Sequence, residues 1–359
     1  MAITLATFNV NNLFLRYRFM DAYPGSPPGK KPPPDLRPLV DDPATSAAKK
    51  KKEPQSGFLP MYNSGMFTVF HEDQRKLEAL AFGKPDFPDV VCVQEVESML
   101  ALREFNQRYL GKHYDYTLVI DGRDLRQIDV GVLSTRKILD VRTHVDDQDQ
   151  SGLIFRRDLL EVVIELPGHR HLTVFVAHLK SKFTGINVAD PAKESAKGDV
   201  QRLREAKATA AIIRRRFPGS RFNRELFALC GDFNDEPGSA PVRPVVKQLG
   251  LENVIDRLPR RERWTHWWSG RNQASQFDYL LLSPALAKLT SDELPRVERR
   301  GIGFRRLRPD GSTLPTETNL VRKAKAPATK VPFVFTRFPD VGPRMVASDH
   351  CLVSLKIRT

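Results

Sequence analysis

The 359-residue chain has no run of eighteen apolar residues, which excludes a helix of the kind that crosses a bilayer. It has three cysteines, Cys92, Cys230 and Cys351, and no C-x-x-C pair. That excludes a disulfide framework and a cysteine-rich zinc site. There is no H-E-x-x-H and no G-x-S-x-G, so a protease-type zinc centre and a serine nucleophile elbow are not expected. The N-terminal residues lack a basic segment followed by an apolar one, so no export signal is expected there. An odd number of cysteines, each in an apolar stretch, fits reduced and buried thiols. The expectation is therefore a cytoplasmic protein. There is no internal repeat, and nothing in the chain calls for an obligate protein partner.

What the chain does have is positive charge: +14 at pH 7, with a pI near 9.8. Such an excess attracts polyanions. Two stretches concentrate it. Residues 30–52 hold seven Lys/Arg against three Asp, including the run Lys49–Lys52. Residues 296–344 hold twelve Lys/Arg against four acids. The Pro24–Pro60 part of the first stretch is rich in Pro, Gly and Ser, a composition that cannot build much core. Two insertions are therefore expected, 16–70 and 296–345, within one domain spanning 1–359.

The most informative segment is Cys230-Gly231-Asp232-Phe233-Asn234-Asp235. It follows an apolar run, Leu226–Leu229, that reads as a buried strand. A core strand that ends in carboxylates and an amide is costly unless a cation offsets the charge. The pattern recurs. Ile3–Phe8 ends in Asn9 and Asn11, Val90–Val93 in Gln94 and Glu95, and Leu172–Ala177 in His178. In two places the polar group comes first: Asp278 before Tyr279–Leu282, and Ser348-Asp349-His350 before Cys351–Leu355. If these last two strands run antiparallel to the others, all six polar ends fall on one rim. Four carboxylates gathered there repel one another unless a cation is bound. An oxygen-rich set favours a hard ion, Mg²⁺ or Mn²⁺.

Six motifs stand in order along nearly the whole chain: Thr7-Phe8-Asn9-Val10-Asn11, Val93-Gln94-Glu95, Ala177-His178-Leu179-Lys180-Ser181-Lys182, Gly231-Asp232-Phe233-Asn234, Phe277-Asp278-Tyr279-Leu280-Leu281 and Ser348-Asp349-His350. Their set resembles the endonuclease/exonuclease/phosphatase superfamily. The resemblance implies an α/β four-layered sandwich, with two face-to-face mixed β-sheets flanked by helices. It also implies metal-dependent hydrolysis of a phosphate ester. By position, Glu95 matches the main metal ligand, supported by Asn9, with Asp349 as a further metal-linked carboxylate. Asp232 matches the group that orients or deprotonates the attacking water, and Asn234 a contact to the scissile phosphate. His350 with Asp278 matches a His–Asp pair. His178 matches a second histidine, a general acid for the leaving oxygen. The abasic-site repair branch has a tyrosine there, so the chain departs from that branch. Asn11, Arg157 and Lys180 are further candidates for substrate binding.

Trp267 joins them through a cluster with Trp264, His266 and Trp268, read either as a stacking platform for bases or as packing. Arg202 is read either as facing the site or as a solvated helical arginine. Helices are expected near 72–82, 98–109, 197–216 and 240–249. The sequence supports a metal-dependent nuclease acting on DNA or RNA. Two rival readings are a phosphatase or phosphodiesterase for a small or lipid phosphate ester, and a nucleic-acid-binding protein without catalysis.

Overall fold

A computed structural model describes residues 2–15, 72–84, 86–124, 126–182, 190–268, 273–302, 316–323, 330–342 and 345–358. The expected insertion at 16–70, with its lysine run, lies outside the described residues.

Period-two alternation of apolar residues builds strands. The first sheet begins with β1 (Ala2–Leu13), β2 (Val90–Val96), β3 (Tyr116–Ile120) and β4 (Asp129–Ser134). The chain then enters a second sheet with β5 (Ile138–Arg142) and makes a short hairpin, β6 (Gln148–Asp149) and β7 (Gly152–Leu153). It returns to the second sheet with β8 (Leu160–Leu166), β9 (Arg170–His178), β10 (Phe227–Asp232) and β11 (Glu252–Asn253). Next come β12 (His266–Trp268) and β13 (Gln273–Ser275), then β14 (Asp278–Leu282) and β15 (Arg296–Glu298). β16 (Thr316–Lys323) and β17 (Lys330–Thr336) extend the β12–β13 pair, and β18 (Leu352–Arg358) completes the first sheet. The two main sheets have six strands each, in the orders β15-β18-β1-β2-β4-β3 and β11-β14-β10-β9-β8-β5.

The alternation also places the layers. Ile3, Leu5, Val90, Cys92, Val174, Val176, Ala228, Cys230, Leu280 and Leu282 fill one buried cluster between the sheets. Phe8, Val10, Val91 and Val93 point the other way, into a cluster with Leu77 on one helix, Phe82 just past its end, and Leu102 and Phe105 on the next helix. Those helices are α1 (Glu72–Ala81) and α2 (Met99–Arg108). Phe175, Ala177, Phe227 and Leu229 pack outward against Ala206, Ile213 and Phe217. The first two of these belong to α3 (Pro191–Arg216), which is followed by α4 (Arg221–Arg224) and α5 (Pro284–Lys288). Helix, sheet, sheet and helix give the four layers expected.

Strand directions also agree with expectation. β1 runs parallel to β2 and antiparallel to β18. β10 runs parallel to β9 and antiparallel to β14. Some boundaries differ. α3 starts at Pro191 rather than 197, because Asp190 caps it by accepting a hydrogen bond from the Lys193 N–H. The helix expected at 240–249 is a single π-helical turn, Pro244–Gln248. Residues 296–298 pair with β18, so they belong to the sheet edge and not to an insertion. Cys351 sits just ahead of β18 rather than within it.

Candidate active site

The same inward face that is apolar along each strand turns polar at one end. On β1 the inward series Ile3, Leu5, Thr7 ends in Asn9. On β9 it ends in His178, on β10 in Asp232, and on β14 it begins with Asp278. The site is thus the polar mouth of the layer between the sheets. Asn9, His178, Asp232 and Asp278 are all buried.

The contacts are direct. Asn9 Nδ2 donates to Asp232 Oδ2 at 3.0 Å. The Asn234 N–H donates to Asp232 Oδ1 at 2.7 Å, and Asn234 Nδ2 to Asp232 Oδ2 at 3.1 Å. His350 Nδ1 lies 3.0 Å from Asp278 Oδ2, and His350 Nε2 lies 3.7 Å from Asp232 Oδ2. His178 Nε2 lies 3.5 Å from Asp232 Oδ2 and 3.9 Å from Glu95 Oε1. Ser348 Oγ donates to the Asn9 carbonyl and accepts from the His350 N–H, which ties the two ends of the chain together.

Backbone conformation re-aims these side chains. Asn11, Glu95 and Asn234 all have positive φ, at 47°, 65° and 53°. Glu95 falls where the β2–β4 register shifts, between Gln94 and Val96. A bulge of this kind turns a side chain out of the strand's alternation, and non-glycine residues in this region cluster at functional sites. Gly231 is needed for a different reason. Its φ is 141°, and a Cβ there would lie 1.8 Å from the Ala177 carbonyl oxygen. Only a glycine lets β10 bring Asp232 beside His178.

The electrostatics separate the two histidines. Burial opposes charge on His350, but Asp278 and Asp232 outweigh it and hold its pKa well above the ordinary range. Burial, with Arg157 and Arg126 adding, pushes His178 well below it. Among the described residues neither ring nitrogen of His178 has a hydrogen-bond partner. Burial raises the Asp232 carboxyl to about 7, with Asp278 and Glu95 adding and His350 opposing.

The loop after His178 is fastened by buried charges. Arg157 Nη1 and Asn234 Nδ2 both donate to the Leu179 carbonyl, at 3.1 Å each. The Lys180 N–H donates to Glu205 Oε2 at 2.7 Å, and Arg202 Nη1 donates to the Lys180 carbonyl at 3.0 Å. Arg202 also reaches Asp235 Oδ2 at 3.4 Å, and Lys182 Nζ lies 2.5 Å from Asp235 Oδ1. Sequence reasoning missed Glu205, named Asp235 without giving it a role, and left Arg202 open. The signal it had was helical spacing: 202 and 205 share a face of α3 with Ala206 and Thr209, all buried.

The structure brings together Asn9, Glu95, His178, Asp232, Asn234, Asp278 and His350. The Asn11 N–H donates to Asn9 Oδ1 at 3.0 Å, so Asn11 sits in the same turn. Three residues stand elsewhere than expected. Arg157, expected as a substrate contact, is buried and pairs through Nη2 with Asp124 Oδ2 at 2.8 Å, so it braces the loop. Trp267 is packed with Trp264, Ala274, Ile302 and Cys351, because alternation on β12 turns it inward and leaves Trp268 exposed. Asp349 is half-exposed and faces His266, with Oδ2 at 3.7 Å from Nε2, rather than Glu95. Lys180 Nζ donates to the Ser181 carbonyl at 3.0 Å, and burial lowers its pKa to about 8.

Residues 6–350 match the Endonuclease/Exonuclease/phosphatase family. The chain belongs to this family. Its members are hydrolases of phosphodiester bonds. No curated protein matches the chain in sequence. Among solved structures, beta toxin 275-280 from Staphylococcus aureus superposes with a TM-score of 0.52 at 12% identity, covering 99% of this chain and 100% of that one. SmcL superposes with a TM-score of 0.51 at 12% identity, covering 100% and 99%. At such identity these two share the fold with this chain.

The residues present fit a divalent cation. Asp232 Oδ2 and Glu95 Oε1 lie 3.5 and 3.9 Å from His178 Nε2, so two carboxylates stand together at the mouth, and Asp232 also shares a cluster of ligand atoms with Asp278 and His350. The unpartnered nitrogens of His178 face the same carboxylates. A cation there would offset the buried Asp232 charge, whose pKa is raised first by burial and then by Asp278 and Glu95.

Proposed function

We propose that this chain is a Mg²⁺- or Mn²⁺-dependent nuclease that hydrolyses phosphodiester bonds of DNA or RNA. The observation that carries this reading is the convergence of Asn9, Glu95, His178, Asp232, Asn234, Asp278 and His350 at one mouth of the inter-sheet layer. Glu95 and Asn9, with Asp232 beside them, would hold the ion, which neutralises phosphate charge and lowers the pKa of water. Asp232, held by Asn9 and Asn234, is placed to take a proton from the attacking water. Asn234 fixes the Asp232 carboxylate with its N–H and its Nδ2, and would contact the scissile phosphate by exchanging one of its Nδ2 bonds, to Asp232 or to the Leu179 carbonyl. Asp278 orients His350 and stabilises its charged form, so the proton for the leaving oxygen is held on His350. His178, expected from sequence to be that acid, is neutral in the free protein and is assigned a hydrogen bond to the phosphate.

Polymer rather than a small ester is supported by the net charge of +14. Purified protein incubated with plasmid DNA, single-stranded DNA and RNA, in Mg²⁺, Mn²⁺ or EDTA, tests the reading. Metal-dependent cleavage is expected, with losses of at least about a hundredfold in Asp232→Ala and in His350→Ala. Full activity in both variants overturns the mechanism. Turnover of a small phosphate ester without cleavage of any polymer overturns the substrate class.

A further inference from the structure

We infer that His266, Asp349 and one nitrogen of His350 form a second cation site, one that takes Zn²⁺ rather than Mg²⁺ and slows turnover when filled. His266 belongs to none of the six motifs, yet the fold sets it against the last of them. It forms an antiparallel bridge with His350, the Trp267 N–H donates to the Asp349 carbonyl at 2.8 Å, and the Cys351 N–H donates to the Thr265 carbonyl at 2.6 Å. Backbone pairing on both sides therefore fixes all three side chains relative to one another. The His266 ring is further held by stacking on Phe277, with centroids 4.7 Å apart at 18°.

The side chains then converge. The His266 and His350 rings are 4.6 Å apart. One ligand atom from each of His266, Asp349 and His350 lies within 4.8 Å of the other two. His266 Nε2 and Asp349 Oδ2 are 3.7 Å apart, which is beyond hydrogen-bond reach. It is close to the edge of about 3.4 Å expected between two ligands of a tetrahedral ion with bonds of about 2.1 Å. Among the described residues His266 Nδ1 is buried without a hydrogen-bond partner, while Nε2 has the Asp349 carboxylate beside it.

The donor set decides the metal. Two imidazoles and one carboxylate suit Zn²⁺, whereas Mg²⁺ takes oxygen ligands. Asp349 is half-exposed, which leaves a way in from solvent and a position for water. The consequence for turnover rests on the nuclease reading, because it requires His350 to act in the reaction. A metal holding a nitrogen of His350 takes that imidazole out of service.

The experiment reads binding and turnover separately. EDTA-treated, dialysed protein is titrated with Zn²⁺ against a chromophoric chelator, as wild type, His266→Gln and Asp349→Asn. Losing even an outer partner of a metal ligand costs about 10–100-fold in affinity, so each variant is expected to bind Zn²⁺ at least about tenfold more weakly. Circular dichroism confirms that each variant is folded, and the two variants stand in for each other if one is not. Equal affinity in wild type and the folded variants, or no Zn²⁺ binding by wild type, overturns the site. With Mg²⁺ in excess, Zn²⁺ is then added to the cleavage reaction. Inhibition is expected in wild type and is shifted to at least about tenfold higher Zn²⁺ in His266→Gln. Zn²⁺ binding without inhibition overturns the effect on turnover. Absence of any cleavage indicts the nuclease reading and leaves the binding result standing.

Discussion

Asp232 has almost no water around it and three acids or acid-orienting groups for company. Its ordinary pKa of 3.8 is raised to about 7 in the folded chain, first by burial. The sign of the consequence follows. At pH 5 the folded chain keeps this group protonated; above 7 it carries a buried charge that the unfolded chain would expose to water. Its contribution to stability therefore falls as pH rises from about 4 to about 7. A bound cation offsets that cost only where the carboxylate is ionised. The thermal midpoint should accordingly rise on adding Mg²⁺ by more at pH 8 than at pH 5. A gain that is equal at both values counts against Asp232 as part of the cation site. At the same scale, the two histidines share one set of acids yet are driven apart. The difference is contact: Asp278 touches His350, whereas burial dominates at His178 and the Arg157 charge adds to it.

Strands, not loops, set the positions of the acids, and this governs what the elements tolerate. β10 approaches β9 closely enough that a Cβ at Gly231 would overlap the Ala177 carbonyl. Gly231→Ala should cost at least about 3 kcal/mol, seen as a shift in the denaturation midpoint, because both φ and the close approach oppose it. A change below about 1 kcal/mol in that variant would mean the two strands can separate without harm. The period of two also explains why most of the site was legible in the sequence. Asn9, His178, Asp232 and Asp278 extend an apolar series on the inward face, so their placement follows from the run before or after them. Trp267 was not legible. On a strand of three residues, which side chain points inward depends on the partner strand, and nothing local reveals it. Arg202 and Glu205 were hidden for a related reason. Charged residues on a helix are solvated by default, and their burial here depends on the Lys180 backbone, more than twenty residues earlier in the chain. Asp349 sits beside a motif residue but is steered by His266, far off in sequence.

At the scale of the molecule, the excess of positive charge bears on substrate rather than on fold. Contacts to several phosphates release counterions, so kcat/KM on a polymer should fall at least about tenfold between roughly 50 and 200 mM salt. On a dinucleotide the change should be small. An equal effect on both would assign the charge to some task other than holding the polymer. None of this was hidden in the sequence, since charge is additive and needs no fold to count. The arrangement of the sheets has a consequence in time. Asn9 stands near one end of the chain and His350 near the other, and β18 enters the first sheet between β15 and β1. A chain still being synthesised has its acids well before it has its last histidine. On the proposed nuclease reading, the site gains its proton donor only after the rest of its acids at the strand ends have been made.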